Sequence, residues 1–553
     1  MHSSFSGATN FCGDARMRQT GEWLAWMDSG DWQRWARRVY GTDGVERAEL
    51  FRVVLAAAAQ RVGLTAPLFL VRAPGRLNLM GRHIDHQGGF VHPIAVPREI
   101  VVAVRPRDDD MVVVHHAQPH TFPHHAFRFT EVAPSRPLDV DEWERWTQGQ
   151  AQRRKPIASW AIYAEAAAAT LFNWRKELLH DAGQRSLRGA ELVVAGDIPS
   201  EAGLSSSSAL FIACLLALMH RNGAPVSGDL ERLSEICGYG EWFVGTRGGA
   251  GDHAAILMAQ AACVLRVGFF PMTVERLPFD GSYSVLVMDS GERAHKAGVV
   301  RWEFNRRVAA YEVGKVLWWE HFPHLRGRLI HLRDATPSHL GDDLLPYGLL
   351  QALPERVTLR DLQLQLPQHR ERWDRLAATL ETTPDGGEVT LEPRGVCWFG
   401  LAECDRSERF GTAVRQGDWH QVGALMAFSH DGDRVTQWRD GNCAPFRFLT
   451  NDAALQRHWT ARTPLWQTAG SYRCSTPALD FLVDAARQAG ALGAQLCGAG
   501  MGGCAMALVP SNAAEMVAQK VAAAYAQVFE RELAWFVAAP CQGATVLSDL
   551  PTP

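Results

Sequence analysis

The chain lacks several features that would have assigned it to a broad class at once. None of its eleven cysteines forms a C-x-x-C pair, so neither a zinc ribbon nor a dithiol redox motif is indicated. The most apolar stretches, such as LFIACLLALMH (210–220), fall well short of the roughly 20 residues a membrane span needs. Lys and Arg total 56 against 60 Asp and Glu, a formal net charge of -4. That balance gives no basic field for nucleic acid and no polybasic run for an anionic membrane. The opening segment, MHSSFSGATNFCGDARMRQTGEW, has no basic stretch leading into an apolar one, so a secretory leader is not expected. Scattered cysteines without a secretory context predict reduced, mostly buried thiols in the cytoplasm. There is also no G-x-x-x-x-G-K-[ST], which excludes the P-loop architecture.

What is present is a chain of 553 residues, long enough for two or three domains. Residues 19–40 and 44–62 read as helices, the second with a strong 3.6-residue apolar period. LFLVRAPGRLNLM (68–80) reads as strand, turn, strand, and REIVVAVRPR and DMVVVHHAQ continue as strands. PIASWAIYAEAAAATLFNW predicts a helix, GAELVVAGDIP a strand, SSSSALFIACLLALMHRNG a helix closed by Asn-Gly, and SVLVMDSG a strand. Segments 340–395 and 433–471 read as irregular insertions. This interleaving predicts an α+β or α/β class. The run HHAQPHTFPHH (115–125) fits no compact ligand spacing and is read as surface or strand-turn histidines rather than a metal site.

Three glycine-framed stretches carry potential chemistry. In GDIPSEAGLSSSSAL (196–210) a strand leads through Gly203 into four serines and a helix. Such a turn leaves backbone N–H groups free at the positive end of a helix, a ready anion site, and hydroxyls can ligate magnesium. A plain serine N-cap is the simpler reading, although four serines exceed what a cap needs. In EWFVGTRGGAGDHAAI (241–256), Gly248, Gly249 and Gly251 bring backbone close to Asp252, either a helix cap or a general base. In LCGAGMGGCAMALV (496–509), Gly498, Gly500, Gly502 and Gly503 precede a strand, the wrong context for a dinucleotide fold.

APGRLNLMGRHIDHQGGFVHPIAV, GLSSSSAL, FVGTRGGAGDH and CGAGMGGC occur in one order that resembles the GHMP small-molecule kinases, most closely the galactokinase-like sugar-1-kinases. WEFNRR (302–307) and SYRCSTPALDFLV (471–483) resemble further family segments. The resemblance spans about residues 45–545. It implies an α+β, two-lobed GHMP kinase fold with its active site in the cleft between lobes. It divides the chain into a helical extension (1–44), an N-terminal lobe (45–285) and a C-terminal lobe (286–553) with inserts near 320–395 and 433–471. ATP and Mg²⁺ are the implied cofactors and a monosaccharide the substrate, without nucleic acid or membrane. Gly203, Leu204, Ser205, Ser206, Ser207, Ser208 and Ala209 would cradle the ATP phosphates. Asp252 falls at the family's catalytic aspartate and Arg76 at the arginine beside it. Ser207 would bind magnesium. The family's second ligand, a glutamate, corresponds to Gly240, with Glu241 one residue later. That is a turn of about 100° on an α-helix, which a bulge or local rotation would have to offset.

The sugar turn departs from the family form G-E-H-T-D-Y. His83 and Asp85 keep the hydroxyl-binding pair, His86 replaces the tyrosine, and Arg82 replaces the glutamate that faces C6. Gly249 and Phe304 complete the implied substrate contacts, Phe304 lacking the hydroxyl of the family tyrosine. A guanidinium pairs bidentately with a carboxylate, and HIDHQGG is similar to the turn of galacturonokinases. A uronic acid such as galacturonate is therefore expected. Neutral galactose, or a catalytically silent sugar and ATP sensor, are the alternatives; Arg82 would carry no substrate role if it paired with a protein acid.

Overall fold

The structure is a computed structural model describing residues 17–42, 44–153, 159–179, 186–224, 228–246, 248–293, 299–380, 387–439 and 441–547. Its class is α+β, with two main sheets. The first comprises β1 (Arg18–Gln19), β2 (Pro67–Asn78), β3 (Pro93–Pro106), β4 (Met111–His116), β5 (His125–Arg128) and β6 (Ala190–Gly196), in the order β1-β2-β3-β6-β4-β5. β4 runs parallel to β6, and the other neighbours in this order are antiparallel. A hairpin of β7 (Cys263–Gly268) and β8 (Thr273–Pro278) joins the sugar turn through a bridge between Val91 and Val267. The second sheet starts with β9 (Tyr283–Asp289). Two small hairpins follow, β10 (Val357–Thr358) with β11 (Thr390–Leu391) and β12 (Thr436–Arg439) with β13 (Asn442–Pro445). β14 (Gly493–Leu496), β15 (Cys504–Pro510) and β16 (Ala534–Ala538) complete it, in the order β14-β15-β9-β16. β17 (Thr545–Leu547) then returns to pair with β2.

The first sheet packs into one apolar core, and the second sheet gives alternate residues to that core and to another, Val285 and Val287 to the first and Leu286 and Met288 to the second. On the first sheet lie the helices Val45–Val62 and Ser206–Arg221, and Ile162–Leu178 packs its Ala-rich face on Ser206–Arg221. The Trp-rich extension forms the helices Thr20–Met27 and Gly30–Tyr40. It belongs to the same core: Trp26, Trp32 and Trp35 meet one another, and Trp32 and Trp35 meet Phe51 edge-on, at centroid distances of 5.1–5.9 Å. Such contacts add to the area buried. The second core packs the helices Val299–His321, Pro393–Gln416 and Pro477–Gln488 with β9, β14 and β15.

Three expectations change. The Pro74-Gly75 pair is not a turn. β2 continues through it with a register shift, because β3 pairs on both sides of the irregularity. The segments read as irregular contain the helices Leu345–Gln351, Leu359–Gln365, Arg370–Leu380 and Asp452–Thr460, which pack apolar faces on the second core. The chain also does not divide at one cut, since the extension (through β1) and the last strand (β17) both pair with β2.

Candidate active site

Past Arg72 the outer edge of β2 has no strand neighbour among the described residues, and the serine loop docks there. The Arg76 backbone N–H donates to the Leu204 carbonyl at 3.1 Å. A side chain at Gly75 would crowd that carbonyl, at 3.0 Å. Arg76 then grips Asp252 with two hydrogen bonds, Nε to Oδ1 and Nη2 to Oδ2, both 2.6 Å. Its Nη1 donates to the Gly203 carbonyl at 2.6 Å. Ser205 Oγ donates to Asp252 Oδ2. Burial pushes the Asp252 carboxyl up, but Arg76 and Ser205 outweigh it and hold the pKa at about 2. The Asp252 side chain remains 38% exposed, so the pair stays accessible.

Ser205 is the N-cap of the helix Ser206–Arg221, in the left-handed region at φ 60°, and makes no side-chain cap bond. Its hydroxyl goes to Asp252 instead of the helix terminus. Ser206, Ser207 and Ser208 thus occupy a first turn whose backbone N–H groups face outward without a cap. The third glycine cluster braces this loop. A Cβ at Gly203 (φ 82°) would lie 2.7 Å from the Cys497 carbonyl oxygen, and one at Gly498 (φ 63°) 2.8 Å from Gly203 Cα. Backbone this close tolerates only glycine. Cys504 N–H adds a 3.0 Å bond to the Ala202 carbonyl.

Glu241, one residue after the position that corresponds to the family glutamate, lies where the backbone changes. The helix Leu230–Gly240 gives way at Glu241 to a 3₁₀ turn, Glu241–Val244. A Cβ at Gly240 would sit 2.5 Å from Phe211 Cζ and 2.6 Å from Thr170 Oγ1, so no glutamate fits there. Glu241 is buried, with Oε1 3.6 Å from His253 Nε2. Burial, and then the charge of Glu241, push the Tyr163 phenol up to about 12, while Ser207 acts on the same phenol in the opposite sense. Glu241 and Ser207 both bear on that phenol, and a carboxylate and a hydroxyl are hard oxygen donors of the kind that suit Mg²⁺.

The sugar turn is held by its own glycines and by distant acids. A Cβ at Gly81 (φ 90°) would lie 2.0 Å from the Phe90 carbonyl oxygen. Glu403 Oε1 accepts from the backbone N–H of Gly81 and Arg82, at 3.0 and 3.2 Å. Asp85 lies against Gly249, where a Cβ would come 2.2 Å from Oδ2. Asp85 also meets His86 Nδ1 at 3.1 Å and is close enough to Asp252 to feel its charge. His83 stacks on Tyr472 at 4.0 Å and 12°. Its Nε2 is 3.4 Å from Cys474 Sγ and 3.7 Å from Asp433 Oδ1. Burial lowers the His83 pKa to about 4, so the ring is neutral at pH 7.

Arg82 is not a free fork. Asp433 Oδ2 accepts from its Nε at 3.2 Å and its Nη2 at 2.7 Å. Ser429 Oγ accepts at 3.0 Å, and Gln495 takes Nη1. Both charged groups are buried, with side-chain exposures of 1% and 0%. The expectation of a guanidinium open to a substrate carboxylate is corrected accordingly: a protein acid already holds it. Phe304 is half-buried in the helix Val299–His321 and is not among the residues gathered around His83. Arg307, in the same helix, lies 5.5 Å over the Tyr472 ring instead. The sequence offered no local signal for Asp433, Glu403, Ser429 or Gln495. Tyr472 and Cys474 lay inside a segment noted only for its resemblance. The histidine run at 115–125 forms no three-ligand cluster; among the described residues the one such group is His83, Asp433 and Cys474.

Residues 59–106 match the galactokinase galactose-binding signature. Residues 164–260 match the GHMP kinase N-terminal domain and 449–527 the GHMP kinase C-terminal domain. The chain is similar to a galactokinase of Streptomyces coelicolor, at 27% identity over 85% of this chain and 92% of that one. A galactokinase of Chloroflexus aggregans is 28% identical over 85% and 91%. The fold is similar to the crystal structure of Lactococcus lactis galactokinase complexed with galactose. That match has a TM-score of 0.58 and 20% identity, covering 91% of this chain and 99% of the other. No helix among the described residues is long and apolar enough to cross a membrane.

Proposed function

This chain belongs to the GHMP kinase family as a sugar kinase of galactokinase type, and from that premise we propose that it transfers the γ-phosphoryl group of ATP to the anomeric C1 hydroxyl of a galactose-like hexose. One observation carries the proposal: Arg76 and Ser205 tie Asp252 directly to the phosphate-cradling loop. A hydroxyl seated on Asp252 would therefore lie beside a phosphate seated on residues 203–209. The uncapped helix start stabilises the transferring charge. Asp252, ionised at pH 7, accepts the hydrogen bond of the C1 hydroxyl and orients it. With a pKa of about 2 it is a poor base for a free hydroxyl. It takes the proton as the new O–P bond forms and the bond to ADP breaks, which suits a reaction that depends mainly on positioning and charge. Asp85 and the backbone at Gly249 form the sugar wall, with His83 buried behind them against Tyr472. Ser207 and Glu241 would hold Mg²⁺, which when bound neutralises charge on the β- and γ-phosphates. The shift at Glu241 therefore gives no particular support to a silent sensor.

At the C6 end the Arg82–Asp433 pair favours a neutral sugar over a uronic acid. A substrate carboxylate there would lose water without gaining a free cation. ATP consumption should show kcat/KM at least tenfold higher for D-galactose than for D-galacturonate, with Asp252→Ala as the inactive control. Equal or better turnover of galacturonate would reverse the assignment of the sugar. ATP binding without turnover of any sugar would reverse the kinase assignment.

A further inference from the structure

Beside Tyr472 lies a cavity of about 220 Å³ that the proposed reaction does not use. Glu303, Arg306, Arg307, Glu392, Ser471 and Arg473 line it together with the Tyr472 ring. Its two carboxylates are already engaged. Glu303 accepts from Arg306 Nη2 at 2.9 Å and Arg307 Nη1 at 2.8 Å. Glu392 lies 3.2 Å from Arg356 and 3.7 Å from Arg447. Arg307 also donates to the Tyr472 and Arg473 carbonyls, both at 2.6 Å.

Arg473 is different. No carboxylate lies within ion-pair distance of it, and its Nε is buried without a hydrogen-bond partner, among the described residues. Its backbone is left-handed at φ 57°, a region that disfavours an arginine. Two bonds hold it there, from Arg307 to its carbonyl and from its own N–H to the Gly432 carbonyl at 3.0 Å. Beside it, Ser471 is 4% exposed and its Oγ also has no partner among the described residues. Arg473 is half-buried, so the groups left without a partner are its buried Nε and the Ser471 hydroxyl, two desolvated donors on one small cavity, and backbone strain collects where a site needs it.

We propose that this cavity is an oxyanion site for a phosphate group, either inorganic phosphate or a small phosphate monoester, bound by Arg473 and the Ser471 hydroxyl with Arg306 nearby. Guanidinium and hydroxyl donors match phosphate oxygens. The volume suits a small anion and excludes a nucleotide. None of its lining residues belongs to the serine loop, and Tyr472 links it to the sugar turn, with Arg307 over its ring and His83 stacked on it.

The test is calorimetric titration of the full chain with inorganic phosphate and with glycerol phosphate, in saturating MgADP so that the serine loop is occupied. Wild type should bind with one-to-one stoichiometry. Arg473→Gln should weaken binding at least tenfold. Ser471→Ala should weaken it several-fold while melting no lower than wild type without phosphate, since it removes an unsatisfied buried hydroxyl. Tighter glycerol phosphate would identify a monoester, and equal binding free phosphate; either supports the site. Absence of saturable binding, unchanged affinity in both variants, or the same heat from sodium chloride at matched ionic strength would overturn it.

Discussion

Two arginine–aspartate pairs stand a few residues apart in the sequence of β2 and its following turn, and they serve opposite ends. Arg76 holds Asp252 and Arg82 holds Asp433, each with two donors on the carboxylate. Both aspartates are held below the usual carboxylate range: burial pushes each up, and the neighbouring arginine outweighs it. They differ in access. Asp252 keeps 38% of its side chain open, whereas Asp433 is fully buried. The open pair can meet a substrate. The closed pair is shut away from solvent, with side-chain exposures of 1% and 0%, and fixes the turn that carries His83 and Asp85. Pairing strength therefore says little about role, and the exposure of the carboxylate decides it.

The comparison breaks most visibly in catalysis. Asp252→Asn should cut sugar-dependent ADP release about 10³-fold, equivalent to about 4 kcal/mol, with little change in melting temperature. Activity within tenfold of wild type would remove Asp252 from the chemistry. Asp433→Ala should act on the fold instead. It leaves Arg82 charged, buried and unpaired, at a cost of about 3–5 kcal/mol in urea unfolding. Replacing both partners by apolar residues, Arg82→Met with Asp433→Leu, should cost less than Asp433→Ala alone. If Asp433→Ala is within about 1 kcal/mol of wild type, the pair is not the anchor of the turn.

This division explains what the sequence could and could not disclose. The serine loop and the glycine before Asp252 are contiguous stretches whose chemistry follows from local backbone rules, so both were legible. The partners of Arg82 lie 347–413 residues away, on a helix and strand with no signature of their own. Proximity in space had to be seen, and without it Arg82 looked like a substrate-facing fork. Pro74-Gly75 misled in the other direction. Its composition signals a turn, but tertiary pairing with β3 and docking of Leu204 keep the strand extended. The helices between residues 345 and 380 were hidden by their shortness and mixed composition. One of them still carries a legible start, Thr358 and Asp361 forming a reciprocal capping box.

His83, beside the closed pair, supplies a pH test of that burial. Its folded pKa of about 4 lies below the ~6.5 of an unfolded histidine. Between those values the unfolded chain takes up a proton that the folded chain refuses. The contribution of His83 is therefore complete above about pH 6.5 and is lost as pH falls toward 4. From pH 7 to pH 5 the loss is about 2 kcal/mol. His83→Asn should flatten the dependence of unfolding free energy on pH by that share. Parallel curves for the variant and wild type would place His83 in water rather than against Tyr472.

The smallest expected effect sharpens the open side. Gly249 is not in a left-handed conformation, so its requirement for glycine is one of space alone. An added methyl would stand 2.2 Å from Asp85 Oδ2 and 2.8 Å from Asp85 Cγ. Asp85 is a short side chain on a half-buried 3₁₀ turn and can swing aside, so Gly249→Ala should cost little stability. It would turn the carboxylate away from the sugar wall while leaving Arg76, Asp252 and the serine loop untouched. The variant should therefore raise the sugar KM about tenfold, roughly 1.4 kcal/mol, with kcat and the KM for ATP near wild type. A fall in kcat at unchanged sugar KM would mean that the strain reaches Asp252, three residues on, and that the sugar wall and the reacting pair are one mechanical unit.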